Sequence, residues 1–492
     1  MAPIVLVLGW SLSLGPAGPS LADDEDEALI ARRTDWFSKA GYGVFVHFLD
    51  SVQNNPEHVA SLGKKTTWEE CVREFNVELF AKRMEEAGAG YVIFTVMQRS
   101  RHMIAPNATF DRLTGYRPGE ACATRDLIDE LYQALNRRGI QLMLYWTGDG
   151  PCDDPQAAKG LRWPGTDKVS LEFVRNWADV AREYGQRYGS KVKGWWVDGC
   201  YRWLDYDEEK LGVLAEALRA GYPDRIIAFN PGVEERVRAY SRHEDYTCGE
   251  QNAFLDVPLA RFVDGKQWHI LSYLGTNWAQ PGTVKGKAEL ARYVHRVNAV
   301  GGVVSIDVVA YRDGDLDRSQ LEVLKALRPR LEALRREQNA WREGRAVPPR
   351  NKAWRKPALL LNVEGAYELG ASGAESVHGP QFGVDGDPAT AAEAGGEWAW
   401  TYEVDLLARE KVSRIVVRFG PGYATDFAIL ASLDRENWQV LGRFTEQRGE
   451  PVEIALDSPI EARFVRVRAY KPDGPDQPGV QMMIAEVEVY ED

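Results

Sequence analysis

Short apolar runs punctuate the first two thirds of the chain. They are YGVFVHF (42–48), GYVIFTV (90–96), IQLMLYW (140–146), VKGWWVDG (192–199), RIIAFN (225–230), EDYTCGE (244–250), WHILSYL (268–274) and GGVVSIDV (301–308). Most are rich in β-branched and aromatic residues and continuously apolar, the pattern of parallel strands covered on both faces. Between several of them the apolar positions recur at helical spacing. Leu127, Leu131 and Leu135 share one face, as do Phe173, Trp177, Val180, Tyr184 and Tyr188. Gly139 and Gly189 stand where helix-ending glycines belong, and Thr124 is a candidate N-cap. Eight strands with intervening helices predict a (β/α)8, TIM-like barrel over 30–338. The sixth run is the weakest, with no clear helix after it. A doubly wound open sheet is the alternative, but no GxGxxG or P-loop supports it.

The pattern changes after a basic, Pro-Pro-containing stretch. Residues 339–356 are read as a linker. Beyond it TYEVDLL, VSRIVVRFG, DFAILASLD, FVRVRAY and IAEVEVYE alternate apolar and polar residues, with turns about every ten positions. This predicts an all-β sandwich over 357–492.

Composition narrows the field. The chain has 492 residues, enough for two or three domains, and a formal net charge of −13, which argues against a nucleic-acid partner. The start, MAPIVLVLGWSLSLGPAGPSLADD, reads as a secretory signal peptide over 1–22. No later stretch is long and apolar enough to span a membrane. The expectation is a secreted or periplasmic protein. Five cysteines, widely spaced and without CxxC, define neither a disulfide framework nor a zinc site. The 16 tryptophans suit sugar-stacking clefts as well as core packing.

Barrels of this kind carry their chemistry at the C-terminal ends of strands. Asp198 ends the fourth run, before Gly199. It is either a strand-end cap or a held catalytic carboxylate. Glycosidic cleavage needs a second carboxyl group. Glu250 is the candidate, with Glu244 and Asp245 as competitors. His47 ends the first run and Trp278 follows the seventh.

An ordered series of segments resembles the family 29 α-L-fucosidases. WFSKAGYGVFVHF, FNVELFAKRMEEAGAGYVIFT, GWWVDG, EDYTCGEQ, WHILSYLGTNWAQ, KAELARYVHRVNAVGGVVSIDV and RDGDLD follow one another from about residue 35 to 335. The resemblance implies a retaining exo-glycoside hydrolase, with Asp198 as nucleophile, Glu250 as acid/base and His47 on the sugar hydroxyls. Gln98, Arg99, Tyr145, Trp196 and Trp278 complete the candidate substrate-binding set. No catalytic metal or cofactor is implied. Family members usually carry a KHHDGF stretch after the second strand. Here TVMQRSRHM puts Gln98 and Arg99 in place of the paired histidines, and GGVVSID ends in Asp307. Gln98 retains hydrogen-bonding capacity. Arg99 either recognises a carboxylate, sulfate or phosphate or pairs with a wall carboxylate.

The C-terminal pieces VDGDPAT, WTYEVDL, ILASLDRENWQVL, ARFVRVRA and IAEVEVY resemble a discoidin (coagulation factor 5/8 type C) domain. That resemblance implies a jelly-roll sandwich, a glycan-binding or structural role, and a possible structural calcium. Two alternatives to a fucosidase remain. One is an inactive carbohydrate-binding or adhesion protein. The other is a hydrolase for a different sugar, neutral or charged.

Overall fold

The computed structural model describes residues 21–165, 168–342, 350–373 and 375–491. The stretch read as a signal peptide lies outside them, except for Leu21 and Ala22. These begin helix α1 (Leu21–Ala40), which leads into the first strand.

Seven parallel strands form one curved sheet. They are β1 (Tyr42–Val46), β2 (Tyr91–Thr95), β3 (Gln141–Thr147), β4 (Val192–Asp198), β5 (Ile226–Phe229), β6 (His269–Tyr273) and β7 (Val303–Val308). Their order is β5-β4-β3-β2-β1-β7-β6. Helices α2 (Val77–Ala87), α3 (Leu127–Asn136), α4 (Leu171–Tyr188), α5 (Glu208–Leu218), α6 (Lys287–Ala299) and α7 (Arg318–Arg342) lie between and after the strands. The predicted helical faces are buried, Leu131 and Trp177 among them. Gly189 ends α4, and Gly139, at φ +71°, follows α3. The cap of α3 is Asp126 rather than Thr124: Asp129 N donates to Asp126 Oδ1 at 3.0 Å. Thr124 is bound to Glu69 instead, through its backbone N–H at 2.9 Å and its hydroxyl.

Strand parity separates two cores. Phe45, Ile93, Met143, Tyr145, Trp196 and Leu271 point into the barrel. Their neighbours Val44, Phe94, Leu144, Trp195 and Ile270 point out against the helices. This two-sided burial explains why the strands read as unbroken apolar runs.

The sixth run is not a regular strand. Residues 244–250 occupy the gap between β5 and β6 through isolated bridges, Tyr246 to Gln267 and Glu250 to Leu271. Asp245 N donates to Ile227 O at 2.8 Å, and Leu271 N to Gly249 O at 2.9 Å. A side chain supplies a rung that a strand would otherwise give: Ile227 N donates to Asp245 Oδ2 at 3.0 Å. No helix follows before a two-rung hairpin, Phe262–Val263 with Lys266–Gln267.

The C-terminal domain is all antiparallel β. Its strands are β8 (Ala358–Asn362), β9 (Trp400–Phe419), β10 (Asp426–Ser432), β11 (Gln439–Phe444), β12 (Val452–Lys471) and β13 (Ile484–Tyr490). The order is β8-β9-β12-β10-β11, with β13 on β9. The long strands β9 and β12 pair along most of their length and change register twice, so one bent ribbon contributes to the whole sandwich. Of the stretch read as a linker, 339–342 continue α7. Lys352 N already donates to Val489 O at 2.7 Å, inside the C-terminal domain.

Polar contacts dock the domains. Arg296 of α6 reaches Glu403 at 3.4 Å and Asp405 at 3.3 Å. Arg463 Nη1 donates to Pro258 O and Arg435 Nη1 to Leu255 O, each at 2.7 Å. Lys285 meets Glu368 at 3.2 Å.

Candidate active site

Asp198 lies two residues beyond Trp196 and shares its inward parity, at the C-terminal end of β4. Four side chains hold its carboxylate. Tyr145 Oη donates to Oδ2 at 2.7 Å, with Gln98 Nε2 at 3.4 Å. Asn230 Nδ2 donates to Oδ1 at 2.8 Å and Tyr201 Oη at 3.2 Å. Burial raises the pKa of Tyr145 and Tyr201, and the Asp198 charge raises it further. Both phenols therefore stay protonated donors at working pH.

The same Asn230 nitrogen donates to Glu250 Oε2 at 2.6 Å. Two oxygens held by one nitrogen are no further apart than the two bonds laid end to end, about 5.4 Å. Burial raises the Glu250 pKa and the Asp198 charge raises it further, while Asn230 and His47 oppose the shift. One carboxyl group is thus wrapped in donors, and its partner is biased towards the protonated form.

Gly249, at φ +62°, precedes Glu250. A Cβ there would meet the backbone oxygen of His269 at 2.0 Å, so only glycine lets this segment lie so close to β6. The competitors of Glu250 are structural. Glu244 is buried and accepts Tyr240 N at 2.6 Å. Asp245 pairs with Arg219 at 2.7 Å and Arg33 at 3.2 Å.

His47 Nδ1 lies 2.7 Å from Asp307 Oδ1. A carboxylate there holds a proton on Nδ1 and fixes the orientation of the ring. Asp307 Oδ2 also accepts Ala279 N at 2.8 Å, which anchors the loop carrying Trp278. Trp278 packs edge-on to His47, ring centroids 5.9 Å apart.

Trp196 and Tyr145 belong to the floor. Trp196 is 3% exposed, donates its indole N–H to Cys248 O at 3.0 Å, and stacks on Tyr145. Gln98 donates to Tyr145 Oη at 2.8 Å as well as to Asp198. Arg99 turns to the wall: Asp153 takes Nε and Nη2 at 3.0 and 2.8 Å, and Asp149 takes Nη1 at 2.7 Å. Burial pushes the Asp149 carboxyl up to about 6, with the Asp198 charge adding to the rise and Arg99 opposing it.

Asn230, Tyr201 and Asp149 escape a reading by sequence. Asn230 ends the fifth apolar run and looks like any turn asparagine. The one available signal is its position at a strand's C-terminal end.

A barrel whose strand ends present two carboxyl groups bridged by an amide has the frame of a glycoside hydrolase. The chain belongs to the alpha-L-fucosidase family, whose profile matches residues 23–331, and an F5/8 type C domain profile matches residues 368–486. No curated protein matches it. Among solved structures it is similar to an alpha-L-fucosidase described as putative, from Bacteroides thetaiotaomicron. The identity is 15%, with 98% of this chain and 99% of the other covered and a TM-score of 0.43. A family 29 fucosidase from Ruminococcus gnavus in complex with fucose is 14% identical, covering 94% of each chain at a TM-score of 0.41. A chitosan-binding module in complex with chitotriose, from a Paenibacillus chitosanase/glucanase, is 25% identical. It covers 29% of this chain and all of its own, at a TM-score of 0.24.

All five cysteines are free. Among the described residues no cluster of three or more His, Cys, Asp or Glu side chains is placed to hold a metal, and no helix is long and apolar enough to cross a membrane. Asp385 and Glu486 do meet at one loop. Gly386 N donates to Glu486 Oε2 at 3.0 Å, and Thr390 Oγ1 to Asp385 Oδ2 at 2.9 Å. Burial pushes Glu486 up to about 7, and the neighbouring Asp385 charge adds to this. Two crowded carboxylates and a hydroxyl are the hard oxygen donors that suit calcium.

Proposed function

We propose that the protein is an exported, retaining exo-glycosidase of the α-L-fucosidase type. Asp198 attacks the anomeric carbon as the glycosidic C–O bond breaks, and Glu250 passes its proton to the leaving oxygen. In the second half-reaction Glu250 takes a proton from water, whose oxygen displaces Asp198. The carrying observation is the single amide of Asn230 on both carboxyl groups. It holds Asp198 Oδ1 and Glu250 Oε2 no more than about 5.4 Å apart, which favours the roughly 5–5.5 Å carboxyl spacing of retaining enzymes over the wider spacing of inverting ones. His47 Nε2, not used by Asp307, hydrogen-bonds a sugar hydroxyl, and Trp278 flanks the ring.

The pocket departs from the fucose-binding pattern at Gln98 and Arg99. The Arg99 charge is already matched by Asp149 and Asp153, so a charged sugar gains little there. The test is a panel of aryl glycosides, α-L-fucoside among them, hydrolysed by wild type and by Asp198→Ala. Turnover on one member, lowered at least about 10³-fold in the variant, is the expected result. Turnover that survives the substitution removes Asp198 as nucleophile, and a silent panel favours a carbohydrate-binding protein.

For the C-terminal domain the proposal is glycan binding. A calcium ion held by Asp385 and Glu486, with the Thr390 hydroxyl, would neutralise that loop. Calcium then raises the unfolding temperature of the full chain in scanning calorimetry and a chelator lowers it. Export rests on the apolar segment at 1–22.

A further inference from the structure

The two loops that leave the candidate active site run directly into a cavity between the domains. One continues from Asn230 to Val233–Arg236, the other from Glu250 to Gln251–Asp256. The opposite wall belongs to the C-terminal domain, through Gly365, Arg435 and Arg466. The cavity holds about 360 Å³. Gln251 is one residue from the acid, about 3.8 Å along the backbone.

Position decides what part of a substrate can reach it. In a retaining glycosidase the nucleophile and the acid flank the scissile bond, and the leaving group departs beside the acid. The chain continues from Glu250 into the wall of this cavity, which makes it the candidate route for the leaving group. An aromatic platform borders the route: Trp203, 60% exposed, stacks on Tyr201 at 5.4 Å and 16°. Tyr201 in turn lies over Gly232, where an added Cβ would be 3.7 Å from its ring. Flat exposed rings of this kind suit sugar faces.

Charge decides which sugar. Four guanidiniums, of Arg296, Arg435, Arg463 and Arg466, gather around only two buried carboxylates, Glu403 and Asp405. An unmatched buried charge is costly unless a counter-charge completes it. Arg435 and Arg466 form the cavity face of this cluster. Arg435 spends Nε on Glu403 and Nη1 on Leu255 O. Arg466 spends both Nε and Nη2 on Glu403, Nη2 also on Gly365 O, and lies 3.9 Å over the Trp438 ring. Arg435 Nη2 and Arg466 Nη1 enter none of the hydrogen bonds among the described residues. Two acids line the cavity: Asp256 is already bound by Arg236 at 2.9 Å and by Val237 N at 2.8 Å, and Glu235 is solvent-exposed.

We propose that this cavity is the subsite for the leaving-group part of the substrate, and that Arg435 and Arg466 hold a sulfate ester or a carboxylate carried by that sugar. The proposal rests on Glu250 acting as the acid. Guanidinium forks match both oxyanions.

Calorimetric titration of the full chain tests it without turnover. The probes are N-acetylglucosamine 6-sulfate and glucuronate, with N-acetylglucosamine, glucose and sodium sulfate as comparisons. At least one anionic sugar binds about tenfold or more tightly than its neutral counterpart and than sodium sulfate, and which one does so separates sulfate from carboxylate. Arg466→Gln removes that advantage; Arg443→Gln, on an exposed pair with Asp426, keeps it. Asn252→Trp, on the exposed loop of the barrel wall, abolishes binding by filling the cavity without touching the ion cluster, which covers a failure of Arg466→Gln to fold. Equal binding of neutral and anionic sugars overturns the proposal, as does an advantage that survives Arg466→Gln, or sodium sulfate binding as well as the sugars. Aryl-glycoside hydrolysis without any sugar binding overturns the cavity assignment and leaves the hydrolase reading standing. Selective binding without hydrolysis leaves the anion site standing and overturns its assignment as a leaving-group subsite.

Discussion

Asn230 is the residue on which the candidate site turns. Its one amide nitrogen couples a carboxylate that must stay ionised to a carboxyl group that must hold a proton. The bond to Glu250 favours the ionised form, opposing the burial that raises its pKa. Replacing Asn230 by alanine therefore raises that pKa further. The alkaline limb of the kcat/KM profile, which follows loss of the acid's proton, moves to higher pH. The maximal rate falls about 10- to 100-fold, because Asp198 and Glu250 lose a charge-assisted partner. A pH–rate profile of Asn230→Ala against wild type checks both. Asp198 and Glu250 were legible as residue types at strand ends. Asn230 was not, because nothing in an asparagine after IIAF says that two carboxylates converge on it.

At the scale of elements, the parallel strands announced themselves and the sixth did not. Burial on both faces makes a strand an unbroken apolar run, and seven of the eight runs became strands with inward and outward cores. Residues 244–250 are polar because their side chains do bonding that a regular ladder would leave to the backbone: Asp245 and Glu244 accept the N–H groups of Ile227 and Phe229. The irregular course needs Gly249. Alanine there combines an unfavourable left-handed conformation with a collision against the His269 carbonyl. The expected cost is about 2–4 kcal/mol. Thermal unfolding of Gly249→Ala measures it, and activity falls more steeply than stability alone predicts, because Glu250 is displaced with its neighbour.

At the scale of the whole molecule, the domains act as one structure because charge crosses their boundary. Asp405 sits buried between Arg463, 2.9 Å away, and Arg296 of the barrel, 3.3 Å away. Removing it leaves the buried Arg463 without a carboxylate, and Arg296 with Glu403 alone at 3.4 Å, in a cluster already rich in positive charge. Asp405→Ala costs about 3–5 kcal/mol, and calorimetry shows unfolding of the variant at lower temperature than that of the wild type. The sequence alone determined the two-domain plan, seven of the strand runs, the helical faces and the placing of Asp198 at a strand end. It could do so because these follow from local periodicity and from ordered motifs. Tertiary structure alone decided that Asn230 bridges the carboxyl groups and that Arg99 faces two aspartates. It also decided that four arginines meet two carboxylates beside the site. Each joins residues from 20 to more than 100 positions apart, and no periodicity in a chain encodes which distant side chains closure of a barrel will press together.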